Sequence, residues 1–199
     1  ETYDEFMDAE GHRDWPSIAV YFYRDEWIMG DIEYQQALFE EIYKHQYNPI
    51  IFYGQYGSNP RVGIPNMKLS MNHLFGKDEF PFDVLINTCK FSFQSLGAQT
   101  LEELKLQDVP IVQGYTIYMD EKSWAENPQG VTPLDVNLSI SQPELDGVIQ
   151  GGVVACQTYD ERGHYVYLPV KERIAAIVQR AIKWSTLLHI PVSERKVAV

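Results

Sequence analysis

Short apolar runs recur along this chain at 17–23, 50–53, 82–87, 109–113 and 148–155, and segments with helical spacing lie between most of them. That alternation is the strongest constraint on the fold. A strand followed by a helix and then another strand needs a crossover, and a crossover sets the two strands parallel. The expectation is therefore an α/β fold with an open, mostly parallel sheet and helices on both faces. The first run, SIAVYFY at 17–23, is apolar throughout, as a strand covered on both sides must be.

The connecting segments can be read in the same way. Arg24, Asp25 and Glu26 make a polar loop, after which Asp31 can cap a helix running to about His45. Tyr34, Ala37, Leu38 and Ile42 lie on one face of that helix, and Asn48-Pro49 ends it. Segment 54–65 has the Gly and Pro content of a loop. Helices are expected at 67–75, 100–106, 123–126 and 132–140, the last opened by Thr132-Pro133. Gly151-Gly152 inside the fifth run suggests a bulge, and 165–168 adds a short strand. The clearest helix is 171–188, with a stripe of Ile174, Ile177, Val178, Ala181, Ile182 and Leu188, stopped by Pro191. Residues 1–16 read as an arm or lead-in helix, 17–190 as a single α/β domain, and 191–199 as the start of a further segment. The chain opens on Glu1-Thr2-Tyr3 and ends as if a strand were beginning, so the expectation is a piece of a longer protein.

Composition narrows the function classes. With 16 basic and 28 acidic residues the formal charge is −12, which repels phosphate backbones and argues against nucleic acid. No apolar stretch approaches the roughly 20 residues of a membrane span, and the location expected is cytoplasmic. The 9 Phe, 4 Trp and 13 Tyr supply enough apolar surface to offset chain entropy, so the chain folds. Cys89 and Cys156 belong to no metal-ligand pattern and read as reduced thiols. The histidines are scattered, and no Walker loop, dinucleotide fingerprint or nucleophile elbow is present.

Ligands of open α/β sheets bind beyond the carboxyl ends of the strands. That rule nominates the loops carrying Tyr23, Arg24, Asp25, Glu26 and Trp27 after the first strand, Asn87, Thr88, Lys90, Phe91 and Phe93 after the third, and Gln113, Tyr115 and Tyr118 after the fourth. Aromatics with a few charges suit a flat apolar ligand with polar edges, or else are rim packing. The segment Gln142-Pro143-Glu144-Leu145-Asp146-Gly147 lies between a helix and a strand and reads as a turn. Glu144 is then either solvated or a carboxylate held at the crevice to accept protons or touch a metal ion.

Four stretches in order resemble the large subunit of tetrapyrrole metal chelatases, the family of cobaltochelatase CobN and its magnesium chelatase counterpart. They are IAVYFYRDEWIMGDIEYQQALFEEI (18–42), FDVLINTCKFSF (82–93), VPIVQGYTIYMDEKSWAENPQGVTPLDVNLSISQPELDG (109–147) and VKERIAAIVQRAIKWSTLLHIPVSERKVAV (170–199). The resemblance implies a flavodoxin- or Rossmann-like strand order and a tetrapyrrole substrate. It implies insertion of a divalent metal (Co, Mg or Fe) as the second substrate, with ATP used only through AAA+ partner subunits. It implies Glu144, in PELDG, as catalytic proton acceptor or transient metal ligand, and Arg24, in FYR, as partner of a propionate or amide edge. Tyr23, Trp27, Phe91 and Tyr115 would flank the ring, with Gln113 beside them. Thr88-Cys89-Lys90 and Ser141-Gln142 depart from the family pattern, so a relative that removes metal from haem is an alternative. A flavodoxin-like binding module, or a scaffold whose active site lies in other domains, is another.

Overall fold

The structure, a computed structural model, describes residues 3–55, 60–64, 66–76, 80–93, 102 and 108–196. Of the helix expected at 100–106, only Glu102 is among the described residues. A short helix α1 (Tyr3–Ala9) leads into β1 (Ser17–Tyr23), and α2 (Arg24–Met29) and α3 (Glu33–Lys44) follow. Next come β2 (Asn48–Gly54), α4 (Met67–Phe75), β3 (Val84–Asn87), β4 (Ile111–Ile117) and α5 (Glu121–Glu126). Helix α6 starts as one α-turn (Pro133–Asp135), widens into a π-turn (Val136–Ser141) and closes as α-helix (Gln142–Leu145). Strands β5 (Ile149–Tyr159) and β6 (Tyr165–Pro169) precede the long α7 (Lys171–His189).

The six strands form one sheet in the order β2-β1-β3-β4-β5-β6. All neighbours are parallel except β6, which returns antiparallel along β5. The first five strands thus have the flavodoxin-like order, and the chain changes direction of travel between β1 and β3. The α/β expectation holds, and so does the bulge. Gln113 pairs with Gln150 while Gly114 pairs with Gly152, so Gly151 is the extra residue.

Each face of the sheet has its own core. On one, Ile18, Val20, Val84, Ile86 and Val112 meet Tyr34, Leu38 and Ile42 of α3 and Ile174, Ile177 and Val178 of α7. On the other, Tyr21, Phe52 and Leu85 pack on Met67 and Met71 of α4 and on Phe82 and Phe93. The inner strands are buried on both sides, which is why they read as continuous apolar runs. The lead-in segment is tied down by Asn48, whose side chain donates to the carbonyls of His12 (2.9 Å) and Trp15 (2.9 Å). Among the described residues no helix is long and apolar enough to cross a membrane. Both cysteines are free and buried.

Two local expectations change. Arg24-Asp25-Glu26 is not loop but the first turn of α2, which Gly30 closes with a left-handed backbone (φ 73°). Asp31 does not cap α3, whose N-cap is Ile32 with no side-chain cap. Its carboxylate instead accepts the backbone N–H of Tyr167 (3.0 and 3.2 Å), lashing the β1–α3 connection to β6.

Candidate functional site

At the change of direction between β1 and β3, the carboxyl ends of the strands open a cavity of about 310 Å³. Its lining includes Tyr23, Arg24, Glu26, Lys90, Phe91 and Tyr167, with Thr116 and Tyr118 from the end of β4. The fold makes this gap by geometry: successive connections leave β1 in opposite directions, so their loops part above it.

Glu26 lies in the first turn of α2. Its Oε2 accepts hydrogen bonds from the Tyr34 hydroxyl (2.5 Å) and the Gln35 side-chain amide (2.6 Å), both on α3. Removal from water pushes its carboxyl up from the usual carboxylate range to about 7, with Asp31 adding to the rise and Tyr34, Lys90 and Gln35 opposing it. Opposite sits Lys90, only 5 % exposed in the loop after β3. Its Nζ lies 3.1 Å from the centre of the Tyr118 ring and 5.9 Å from that of Tyr167, so the cation rests on aromatic faces. Burial lowers its amine to about 8, against the attraction of Asp135 and Glu26. A carboxyl and an amine that both titrate near neutrality, across one cavity, make a site able to give and take protons.

The loop that carries Lys90 is held from several sides. The Tyr23 hydroxyl donates to the Lys90 carbonyl (2.9 Å) and accepts its N–H (2.9 Å). Phe91 has a left-handed backbone (φ 70°), a strained state for a non-glycine residue, and donates its N–H to the Leu138 carbonyl in the π-turn of α6 (2.7 Å). Below the loop, Asn87 donates to Gln113 (2.8 Å), and Gln113 donates to the Cys89 carbonyl (2.8 Å). Asp135, fully buried at the start of α6, accepts from the Thr132 hydroxyl (2.7 Å).

Of the residues in the nominated loops, Tyr23, Arg24, Asp25, Glu26, Lys90, Phe91 and Tyr118 meet at this cavity. Gln113 is fully buried beneath it and serves by holding the β3 loop rather than by facing a ligand. Tyr115 is half-buried in a separate cluster with Ile117 and Val153. Trp27 is 54 % exposed on the outer side of α2 and stacks on Tyr53 (ring centres 6.0 Å apart). Glu144 is not brought to the crevice. Its segment is the last turn of α6 rather than a free turn, its side chain is exposed, and the chain passes from it straight into the amino end of β5. The cavity lies at the other end of that strand: Tyr118 follows Ile117, which pairs with Cys156. From Ile149 to Cys156 is roughly 23 Å of extended chain. The buried acid of PELDG is Asp146, which accepts from Ser92 Oγ (3.0 Å) and from the Phe93 N–H.

Sequence pattern does not single out Glu26 or Lys90 as actors. The strand-end rule reaches the loops that carry them, but within those loops Glu26 looks like loop polarity and Lys90 like a departure from a family pattern. No spacing rule links positions 26, 34, 90 and 167. Among the described residues no group of three or more His, Cys, Asp or Glu side chains is placed to hold a metal ion.

A flavodoxin-ordered α/β domain with an acid–base crevice at its change of direction is the class of protein that fold and site define. The CobN/magnesium chelatase family model matches residues 1–199, and the chain belongs to that family. It is 27 % identical over 215 residues to an uncharacterized protein of Methanocaldococcus jannaschii, covering 100 % of this chain and 17 % of that protein. It is 29 % identical over 122 residues to the aerobic cobaltochelatase subunit CobN of Pseudomonas aeruginosa, covering 58 % of this chain and 10 % of that one. A magnesium-chelatase subunit of Rhodobacter capsulatus is 26 % identical over 114 residues, covering 50 % of this chain and 10 % of that protein. The catalytic subunit of cobaltochelatase from Mycobacterium tuberculosis shares the fold, with a TM-score of 0.73 at 24 % identity over 92 % of this chain and 15 % of that one. The chain thus spans about a sixth of the length of the first of these relatives.

Proposed function

We propose that this chain is the part of a chelatase large subunit that takes up the edge of a tetrapyrrole, and that the whole protein inserts a divalent metal into that ring. The observation that carries the reading is the lining of the crevice. Tyr23, Phe91, Tyr118 and Tyr167 offer aromatic surface to a flat ring, while Arg24 supplies a planar donor for a carboxylate or amide at its rim. A cavity of about 310 Å³ is at the small end of ligand pockets, which run from roughly 300 to 1,000 Å³. It grips an edge of a macrocycle, and other parts of the protein cover the rest. Cobalt, magnesium or iron is the second substrate, and AAA+ partner subunits supply ATP-driven work. Glu144, exposed at the amino edge, acts in this scheme only on groups that reach the domain from outside.

The test is an absorbance titration of the full-length protein with a metal-free porphyrin and a metal-free corrin. The expected result is a shifted Soret-type band for one of them, with affinity weakened about tenfold by Arg24→Ala or Phe91→Ala. No shift with either ring overturns the reading. Metal-loaded rings in the same assay distinguish insertion from removal. A ring that binds while metal content stays constant favours the module without chemistry, which the small, open crevice also accommodates.

A further inference from the structure

We propose that Glu26 is the proton acceptor of the crevice, taking the proton from a ligand N–H as that nitrogen turns its lone pair to a metal ion, with Lys90 taking the second proton. Tyr34, Gln35 and Thr88 are the residues that position it. The proposal rests on the reading that a tetrapyrrole occupies the crevice and assigns the acid–base chemistry of that same site.

The geometry has three parts. Glu26 lines the cavity, and both of its hydrogen bonds converge on Oε2, which leaves Oε1 to a ligand. Lys90 lines the same cavity with its Nζ buried against the Tyr118 ring, so a second acceptor borders the site and is reached when that ring turns aside. The third part is the hydroxyl chain behind Glu26. Tyr34 Oη lies 3.1 Å from Thr88 Oγ1, and Thr88 Oγ1 donates to the Tyr21 carbonyl (3.0 Å). That carbonyl also receives the Thr88 backbone N–H (2.9 Å), so it keeps a donor if the hydroxyl turns away.

Counting protons shows what the chain does. When Glu26 is ionised, Thr88 donates to Tyr34 and Tyr34 donates to the carboxylate. When Glu26 has taken a proton on Oε1 and its carboxyl turns to bring that O–H against Tyr34, the carboxyl donates to Tyr34, Tyr34 to Thr88, and Thr88 to the Tyr21 carbonyl. In either state every hydroxyl has an acceptor, the Tyr21 carbonyl keeping the Thr88 N–H when the Thr88 hydroxyl turns to Tyr34, and only rotations of the hydroxyls and the carboxyl separate the two states. The chain ends on a backbone carbonyl, so it conducts no proton onward. It accommodates both charge states of Glu26, and the proton leaves by the open mouth of the crevice.

The balance closes. A divalent cation, a ring with two N–H groups, a Glu26 carboxylate and a neutral Lys90 amine become a metallated ring, a Glu26 carboxylic acid and a Lys90 ammonium. Two N–H bonds break, one O–H and one N–H bond form, and the total charge stays +1. The groups that bear on Glu26 are Tyr34 and Gln35 of α3, Asp31, Lys90 and Cys89 of the β3 loop, and Tyr167 of β6. Asp31 raises its proton affinity, and Lys90, Tyr34 and Gln35 lower it, which leaves a carboxyl that changes state near pH 7.

The experiment uses the full-length protein and reads ring binding and metal insertion separately. For the wild type, the insertion rate rises with pH through the range from about 7 to 8, because both acceptors must be unprotonated. Glu26→Gln keeps the Soret shift and loses about 100-fold or more in insertion rate. Tyr34→Phe removes a bond to the carboxylate, so the acidic limb of the pH profile moves to higher pH; a merely structural role lowers the rate at every pH and leaves the limb in place. Wild-type insertion by Glu26→Gln with ring bound overturns the assignment and leaves the functional reading standing. No ring binding by the wild type overturns both. If Glu26→Gln itself loses the ring, the Tyr34→Phe profile decides: a displaced limb supports the proposal, and an undisplaced one overturns it.

Discussion

At Glu26 burial and hydrogen bonding act against each other, and burial wins. Loss of water raises the proton affinity of the carboxyl, while the Tyr34 and Gln35 donors lower it, for a net rise from 4.5 to about 7. The consequence for stability has a definite sign. Between about pH 4.5 and about pH 7 the folded chain keeps a proton that the unfolded chain has released, so stability falls as pH rises through that window and levels off above it. At about 1.4 kcal/mol per pH unit, the loss from this residue is about 3 kcal/mol at most. Glu26→Gln removes that dependence. Urea denaturation at pH 5 and pH 8 is expected to show a smaller drop between the two for the variant than for the wild type. Equal drops show that Glu26 ionises freely in the folded chain.

At the scale of elements, the β5 bulge decides where the crevice floor sits. A Cβ at Gly151 meets the Gln113 carbonyl oxygen at 2.2 Å, a backbone atom that cannot turn aside. At its neighbour Gly152 the nearest atom is the tip of Ile177, 3.9 Å away. Gly151→Ala is therefore expected to cost about 3 kcal/mol, as overpacking against backbone does, and Gly152→Ala less than about 1 kcal/mol. Paired denaturation curves check the contrast, and equal costs contradict this account of the bulge. Gln113 holds the Cys89 carbonyl, so the Gly151 variant also disturbs the loop that carries Lys90. Most elements are legible from pattern. Strand β1 and helix α4 can be read to the residue, because their apolar runs have clear ends. Helix α2 escapes such a reading because it buries no residue and so shows no periodic face; its only signal is Gly30 at the C-cap. Asp31 misleads because a capping residue and a long-range acceptor look the same in sequence, and its partner is 136 positions away.

For the whole molecule, the relevant fact is coverage. The chain spans 17 % of a relative it matches end to end, and the crevice at its switch point is open and small. The 199 residues alone are therefore expected to insert no metal and to hold a ring weakly, and the full-length protein is expected to hold the ring tightly and insert the metal. Metal-insertion assays on the two, side by side, check this; turnover by the short chain at the full-length rate contradicts it. By itself the sequence determined the alternation of strand and helix, hence the parallel sheet and the strand ends at which open sheets take their ligands, because periodicity and chain length are local properties. Only the tertiary structure decided which acids stand at that end. It put Glu144 at the far edge and drew Glu26, Lys90 and Tyr167 to one cavity, with Tyr34 buried behind Glu26. The reason is physical: crossover connections bring strand tips together at any separation along the chain, and a carboxyl's proton affinity is set by the water it loses and the donors it meets, neither of which is written beside it.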